Sequence, residues 1–169
     1  PGSKFAFDLG GRQVRYLTVT PERPNVVKQI EFVKGDDVTA PVVVADVKGG
    51  APQVVLLSSG SEVGLIMSAA EKLAEKGVQA RVVSLASHEL FAKQSKEYRE
   101  SVLPRGVPRV AIEAAHPMSW YRWVGDDGIV LGIERFGASA PYERLYTELG
   151  LTVDKLVAAA EGLVAAKKA

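Results

Sequence analysis

The segment Val54–Leu65 contains residue types that could perform chemistry. It reads V-V-L-L-S-S-G-S-E-V-G-L, an apolar run followed by serines, a glycine and the start of a helical pattern. A strand, a tight turn and a helix in this order form the place where many enzymes hold a nucleophile or bind a phosphate. The turn is therefore the first candidate site of the chain.

This turn lacks the residues that such sites require. A nucleophile elbow needs a serine midway between two glycines, but Glu62 occupies that position between Gly60 and Gly64. The spacings of a P-loop and of a dinucleotide-binding fingerprint are absent as well. Because Ser59 and Glu62 have capping-box spacing, we predict that Ser59 or Ser61 caps the following helix. Anion binding by the free N–H groups of the helix start is the alternative.

Glu113 is a second candidate. It lies near the end of the predicted strand Arg109–Ala114, on the side where open α/β sheets bind ligands. It could serve as a site carboxylate, although a salt bridge with Arg122 or Arg135 is the more frequent outcome for such a residue.

The two histidines do not indicate a metal site. His88 and His116 have no cysteine nearby and do not form an H-E-x-x-H motif. A catalytic triad of Ser61, His116 and Asp126 or Asp127 is conceivable from their positions in the predicted fold. Such a triad would make the chain a stand-alone serine hydrolase. The missing nucleophile elbow argues against this hypothesis.

A cluster of aromatic residues lies in the segment M-S-W-Y-R-W-V-G. Trp120, Tyr121 and Trp123 give a short predicted helix a large apolar area. Stacking on nucleic-acid bases would require more basic neighbours than Arg122. We therefore expect this cluster to pack at the edge of the core or at a subunit contact.

The elements that position these residues change in type near residue 50. From Lys4 to Val47 the pattern is strand-like, with runs at 5–7, 12–20, 25–33 and 41–47 separated by turn residues. From Gln53 onward, strands alternate with helices. The predicted strands are Val54–Leu57, Arg81–Leu85, Arg109–Ala114 and Ile129–Ile133. The predicted helices are Ser61–Lys76, one after Ser87, Pro117–Val124, Pro141–Leu149 and one from Thr152 to about Lys167.

This alternation predicts an α/β fold with a doubly wound, mostly parallel sheet of about five strands and helices on both faces. A short β-rich segment precedes it. Gly77 is expected to end the first long helix, and Thr152 to cap the last one.

The composition limits the classes of function. The 47% of hydrophobic residues is sufficient for a core, and the net charge of +1 gives no reason to expect nucleic acid or a membrane as partner. No apolar run has the length of a membrane span, and the start does not resemble a signal peptide. The absence of cysteine excludes disulfides and thiolate chemistry and is compatible with a cytoplasmic protein.

Taken together, seven segments resemble the C-terminal domain of transketolase in order and spacing, from about Val42 to Leu163. They are S-S-G-S-E-V (Ser58–Val63), A-R-V-V-S-L (Ala80–Leu85), F-A-K-Q-S-K-E-Y-R-E-S-V-L-P (Phe91–Pro104), R-V-A-I-E-A (Arg109–Ala114), W-Y-R-W-V-G (Trp120–Gly125), F-G-A-S-A-P (Phe136–Pro141) and G-L-T-V-D-K-L-V (Gly150–Val157). V-V-V-A-D at Val42–Asp46 resembles the end of the pyrimidine-binding domain that precedes this domain in the family. Residues 4–37 resemble no part of the transketolase catalytic domains.

The resemblance implies a cytoplasmic enzyme of the pentose phosphate pathway that moves two-carbon ketol units between sugar phosphates. Such enzymes use thiamine diphosphate and a divalent cation, Mg²⁺ or Ca²⁺, bound by the two preceding domains at a dimer interface. No family histidine matches His88 or His116. The chain alone is therefore expected to be inactive, to bind no cofactor or metal, and to serve domain packing and dimer assembly.

Three functions remain as hypotheses: this assembly role, a small-molecule or nucleotide-binding regulatory module, and the serine hydrolase. The expected domains are a tag scar at 1–3, a β-rich segment at 4–40 and the transketolase-like domain at 41–169. The expected partners are a second copy of the chain or the thiamine-binding domains. The candidate ligand or interface positions are Ser61, Glu62, Glu113, His116, Trp120, Gly137 and Ser139.

Overall fold

The structure is a computed structural model and describes residues 3–5, 17–19, 42–47 and 51–167. By its contacts the chain divides into two units, Pro1–Thr39 and Ala40–Ala169.

The first unit contains a pair of short antiparallel strands. Strand β1 (Ser3–Phe5) pairs with β2 (Leu17–Val19), with Lys4 opposite Thr18. Strand β1 thus begins at Ser3, within the segment expected to be a tag scar. The strand predicted at 25–33 lies outside the described residues.

The second unit is built on a five-stranded sheet in the order β3-β5-β4-β6-β7. Its strands are β3 (Val42–Ala45), β4 (Val54–Ser58), β5 (Ala80–Ser84), β6 (Arg109–Ile112) and β7 (Ile129–Leu131). Strands β4 to β7 pair in parallel, whereas β3 runs antiparallel to β5 at one edge. The prediction of a mostly parallel α/β sheet is confirmed.

Strand β4 lies at the centre of the sheet and is buried on both faces. Val54 and Leu56 belong to one core cluster, and Val55 and Leu57 belong to the other. This alternation follows from the two-residue period of a strand. A strand covered on both sides needs apolar residues at every position, which explains the continuous run V-V-L-L.

Six helices cover the two faces. They are α1 (Val63–Glu75), α2 (His88–Ala92), α3 (Lys96–Val102), α4 (Met118–Val124), α5 (Tyr142–Leu149) and α6 (Val153–Ala166). Helices α1 and α6 pack on the face of Val54 and Leu56, and α5 adds partly buried residues there. Helices α2, α3 and α4 pack on the face of Val55 and Leu57.

Several predicted helix ends are confirmed. The Oγ atom of Ser87 accepts a hydrogen bond from the Leu90 amide at the start of α2, and Oγ1 of Thr152 accepts one from the Lys155 amide at the start of α6. Gly77 follows the end of α1 with φ +75°. An L-residue with a side chain would be strained in this left-handed conformation, so glycine ends the helix here at low cost.

Candidate functional site at the carboxyl edge of the sheet

The chain order of the strands reverses direction between β4 and β6. From β4 the chain passes to β5 on one side and then returns to β6 on the other. The connections after β4 and β6 therefore diverge, and open α/β sheets bind ligands beside the carboxyl ends of two such strands. Ser59 and Glu113 are the first residues after β4 and β6, so both lie at this position.

Ser59 and Glu113 are joined by two hydrogen bonds. The Ser59 amide donates to Oε2 of Glu113 at 3.2 Å, and the Ser59 hydroxyl donates to the same oxygen at 2.9 Å. The prediction that Ser59 or Ser61 caps the helix is therefore wrong, because neither hydroxyl accepts a capping hydrogen bond. A hydrogen bond to a carboxylate is stronger than a capping hydrogen bond between neutral groups. The sheet brings the Glu113 carboxyl group within reach of the Ser59 hydroxyl, which therefore donates to it.

Glu62 is the second carboxyl group of the site. It ends a short 3-10 turn, Gly60–Glu62, and its side chain is buried, with 3% of the residue exposed. Its Oε1 atom accepts hydrogen bonds from the hydroxyl of Ser61 and from the phenol of Tyr146 on α5. Gly60 has φ +53°, a left-handed conformation that turns the chain sharply after β4 and brings Glu62 back toward the strand ends.

The electrostatics of the site are dominated by carboxyl groups. Burial raises the pKa of Glu113, the negative charge and hydrogen bond of Glu62 raise it further, and the bonds from Ser59 oppose both effects. Burial and the hydrogen bond to Glu62 also raise the pKa of the Tyr146 phenol. In the described part of the chain, neither glutamate has a salt-bridge partner.

The prediction that Glu113 pairs with Arg122 or Arg135 is consequently wrong. The guanidinium of Arg122 lies over the ring of Trp123, 5.0 Å from its centroid. Arg135 is exposed in the segment that follows β7. Glu113 instead accepts hydrogen bonds from Ser59, which lies on the turn after the neighbouring strand β4.

The other predicted site residues lie apart from this hydrogen-bond network. His116 is exposed, and its Nδ1 accepts a hydrogen bond from the Met118 amide. Trp120 is buried in the core, whereas Gly137 and Ser139 are exposed in the loop before α5. The triad hypothesis fails because the Ser61 hydroxyl donates to Glu62 and His116 Nδ1 faces a backbone amide.

The aromatic cluster packs on the second face of the sheet. Trp120 and Trp123 are 1% and 5% exposed, and the His88 ring meets both edge-on, with centroid distances of 4.7 and 5.8 Å. Tyr121, on the opposite side of α4, is 51% exposed.

Tyr146 is the site residue that sequence reasoning missed. It lies in α5, a mostly polar helix in which no residue is buried, and its partner Glu62 is 84 residues away in the chain. No local spacing indicates this contact, and the signal present was the phenol itself, which usually has a hydrogen-bond partner when it is buried.

Neither a three-ligand metal cluster nor a membrane-spanning helix is found among the described residues. Within 3–5, 17–19, 42–47 and 51–167, no group of three His, Asp or Glu side chains could hold a metal ion. None of the helices described is long and apolar enough to span a bilayer.

Comparison with known proteins identifies the domain. The family model of the transketolase-like TK C-terminal domain matches residues 42–152. Transketolase 7 of Craterostigma plantagineum is 50% identical over 111 residues, which is 65% of this chain and 16% of that protein. Transketolase 1 of Escherichia coli K12 is 49% identical over 116 residues, which is 68% of this chain and 18% of that protein.

Solved structures agree with this comparison. Transketolase from Leishmania mexicana superposes with a TM-score of 0.69 at 38% identity, covering 75% of this chain and 18% of that one. The chain thus spans less than a fifth of the length of these relatives. Through its residues 42–152, the chain belongs to the transketolase family, whose C-terminal domain it contains.

Proposed function

We propose that this domain is itself non-catalytic and serves domain packing and dimer assembly in a transketolase-like enzyme. That enzyme would transfer two-carbon ketol units between sugar phosphates. The observation that carries the proposal is a set of exposed apolar side chains in the segments that follow β6 and β7. Met118, Phe136 and Tyr142 are 72%, 96% and 66% exposed, and we call these three residues the apolar edge.

The residues of the apolar edge are unusual because they are large and each is well over half exposed. All residues from 134 to 144 are exposed, and Phe136 lies near the middle of the loop before α5. Single exposed apolar residues are ordinary, but several in the segments that follow neighbouring parallel strands favour a surface that another domain or subunit covers. We propose the other domains of a transketolase as the occupant, because the relatives extend far beyond the matched region.

The described residues do not fit thiamine diphosphate or its divalent cation. Glu62 and Glu113 lie just after β4 and β6, and their carboxyl groups would disfavour a diphosphate at this position. Arg81 and Arg109 lie at the opposite, amino edge of the sheet, where Arg81 binds Asp46 and Arg109 donates to three backbone carbonyls. We therefore derive no catalytic step for this chain.

The alternative function is a small-molecule or nucleotide-binding regulatory module. The site at the strand ends has a favourable position for a ligand, but its two carboxyl groups would repel the phosphate groups of nucleotides and sugar phosphates. A cavity of about 290 Å³ beside β7, lined by Gly132, Arg135 and Glu148 among others, is at the low end for a ligand pocket. The assembly role is therefore the better-supported proposal.

Isothermal titration calorimetry tests the non-catalytic part. The purified chain is titrated with thiamine diphosphate in the presence of Mg²⁺, and separately with a sugar phosphate. We expect no saturable heat in either titration and no ketol transfer in a coupled assay. Saturable binding of thiamine diphosphate would overturn the proposal. Binding of the sugar phosphate alone would instead favour the regulatory module.

Two further proposals concern organisation and location. We infer that residues 4–40 are a β-rich segment separate from the transketolase-like domain, and the division of the chain near Thr39 supports this. We also propose a cytoplasmic location. The relatives include a chloroplastic transketolase of Craterostigma plantagineum, so this proposal rests on the lack of cysteine rather than on similarity.

A further inference from the structure

Helix α5 and the loop before it are loosely attached to the rest of the domain. No residue of α5 is buried, residues 134–141 are exposed throughout, and no other described helix or strand makes extensive backbone contact with α5. Within the described part of the chain, no hydrogen bond involves residues 134–140. Segments with few buried apolar contacts and an exposed backbone open at a lower free energy than the core of a protein.

Both ends of this segment are anchored. Before it, the Ile133 amide donates to the Ala115 carbonyl at 2.9 Å. After it, Gly150 has φ +79°, and Leu151 is 1% exposed within the core. Glycine adopts many backbone conformations at little cost, so Gly150 allows the chain to change direction there. We call residues 134–149, which lie between these two points, the α5 arm.

Tyr146 is the main attachment of the α5 arm. Together with Leu149 it packs, partly buried, on the core cluster that contains Val54 and Leu56. Its phenol donates a hydrogen bond to Oε1 of Glu62, which is 3% exposed in the turn after β4. No salt bridge among the described residues involves α5. The hydrogen bond from Tyr146 to Glu62 therefore links the arm to the buried turn after the central strand.

The α5 arm carries two of the three residues of the apolar edge. Phe136 lies in its loop, and Tyr142 is the first residue of its helix. Met118 instead lies on α4, which packs against the sheet through the buried Trp120 and Trp123. An opening of the arm would therefore move Phe136 and Tyr142 and leave Met118 in place.

We propose that the α5 arm opens as a unit while the sheet stays folded, and that the hydrogen bond from Tyr146 to Glu62 holds it closed. A partner that contacts the whole apolar edge requires Phe136 and Tyr142 in their closed positions, so its binding shifts the arm toward the closed form. This coupling to a partner rests on the proposed assembly role, whereas the opening itself does not.

Amide hydrogen exchange of the full chain at low protein concentration, followed by mass spectrometry at several low urea concentrations, measures this opening. A local opening exposes little new surface, so exchange of residues 142–149 should depend little on urea, whereas exchange of β4 should accelerate steeply. Tyr146→Phe keeps the ring in the core and removes only its hydroxyl. Exchange of residues 142–149 should then rise about two- to tenfold at every urea concentration, the factor for losing one hydrogen bond.

Tyr142→Phe is the matched control. It makes the same replacement in the same helix, but the Tyr142 phenol is exposed and has no hydrogen-bond partner in the described residues, so exchange should equal that of the parent. The proposal is overturned if exchange of residues 142–149 depends on urea as steeply as exchange of β4, or if the two Tyr→Phe variants exchange alike.

A double-mutant cycle tests the partner of Tyr146. Glu62→Ala removes the acceptor, so adding Tyr146→Phe to this variant should not accelerate exchange of residues 142–149 further. A further increase would show that Glu62 is not the group that holds the arm closed. If Glu62→Ala does not fold, the two tyrosine variants decide the proposal on their own.

Repeating the exchange at rising protein concentration tests the coupling to a partner, with a second copy of the chain as that partner. If the chain associates through the apolar edge, exchange of residues 142–149 should slow as the dimer forms. A dimer with unchanged exchange would overturn the coupling. A chain that stays monomeric would contradict the proposed assembly role, and the urea dependence would still decide whether the arm opens.

Discussion

Replacing Trp120 with alanine is expected to lower the free energy of unfolding by about 3–5 kcal/mol, the range observed for deleting a buried tryptophan or phenylalanine side chain. Trp120 is 1% exposed and packs with Phe91, Trp123 and the apolar residues of β4 and β6 in one core cluster. The cavity left by the indole cannot be filled by these neighbours without moving the strands, so most of the lost contact energy is not recovered. Urea denaturation followed by circular dichroism measures the change.

Tyr121→Ala is the matched control for this prediction. Tyr121 is the next residue of the same helix but is 51% exposed, so its removal should change stability far less. Similar losses for the two variants would contradict the placement of α4, because one side of the helix would then be no more buried than the other.

Replacing Arg81 with methionine is expected to cost about 1.5–3 kcal/mol, the range for losing hydrogen bonds to a charged group. The guanidinium of Arg81 binds both carboxylate oxygens of Asp46 at 2.9 and 2.7 Å and also donates to the carbonyls of Ser101 and Val102. It thus joins the end of β3 and the end of α3 to β5. Such a bidentate bond holds both partners in a fixed geometry.

The pH dependence of this loss gives an independent check. Burial by itself raises the pKa of Asp46, but the hydrogen bonds from Arg81 and the Val47 amide outweigh it, so the pKa lies below its ordinary value of 3.8. The stabilisation is therefore present above about pH 4 and is lost as the pH falls through the lowered pKa. Chemical denaturation should show a smaller difference between parent and Arg81→Met at pH 3 than at pH 7, while the part that comes from the bonds to the Ser101 and Val102 carbonyls should persist at both pH values.

Arg105→Met is the control for the arginine replacement. Arg105 pairs with Glu100 at an exposed position, where solvent screens the interaction. We expect no measurable shift in its unfolding midpoint. If Arg105→Met shifted the unfolding midpoint as much as Arg81→Met does, the effect of replacing Arg81 would not depend on its buried position.

Local patterns in the sequence predicted the elements of this domain well. The run V-V-L-L predicts a buried central strand, Gly77 predicts the end of α1, and Thr152 predicts the start of α6. Each of these signals depends only on residues a few positions apart, so it can be recognised from the sequence without knowing the fold. The antiparallel direction of β3 was not predicted, because strand direction depends on which neighbour the strand pairs with.

The partners within the candidate site could not be predicted in the same way. Ser59 has capping-box spacing with Glu62, yet its hydroxyl donates to Glu113, 54 residues later in the chain. The order β5-β4-β6 creates that contact, since it brings the ends of β4 and β6 side by side. Tyr146 joins them only because α5 packs beside the strand ends, and no spacing within the sequence indicates this contact.

These contacts use groups that bind ligands at the corresponding strand ends of other α/β proteins. In many α/β proteins the free N–H groups at such a position bind an anion. Here the amide of Ser59 donates to a carboxyl group that belongs to the protein itself, and a second glutamate lies beside it. The site thus joins the turn after β4, the end of β6 and α5.

Sedimentation velocity over a range of chain concentrations tests the assembly role most directly. The account predicts that the isolated chain self-associates toward a dimer as concentration rises, because the apolar edge lacks the domains that would cover it. Phe136→Ser should remain monomeric, whereas Arg135→Ser, an exposed polar replacement at the neighbouring position, should associate like the parent. A parent chain that stays monomeric at every concentration, or a Phe136→Ser variant that associates equally well, would contradict it.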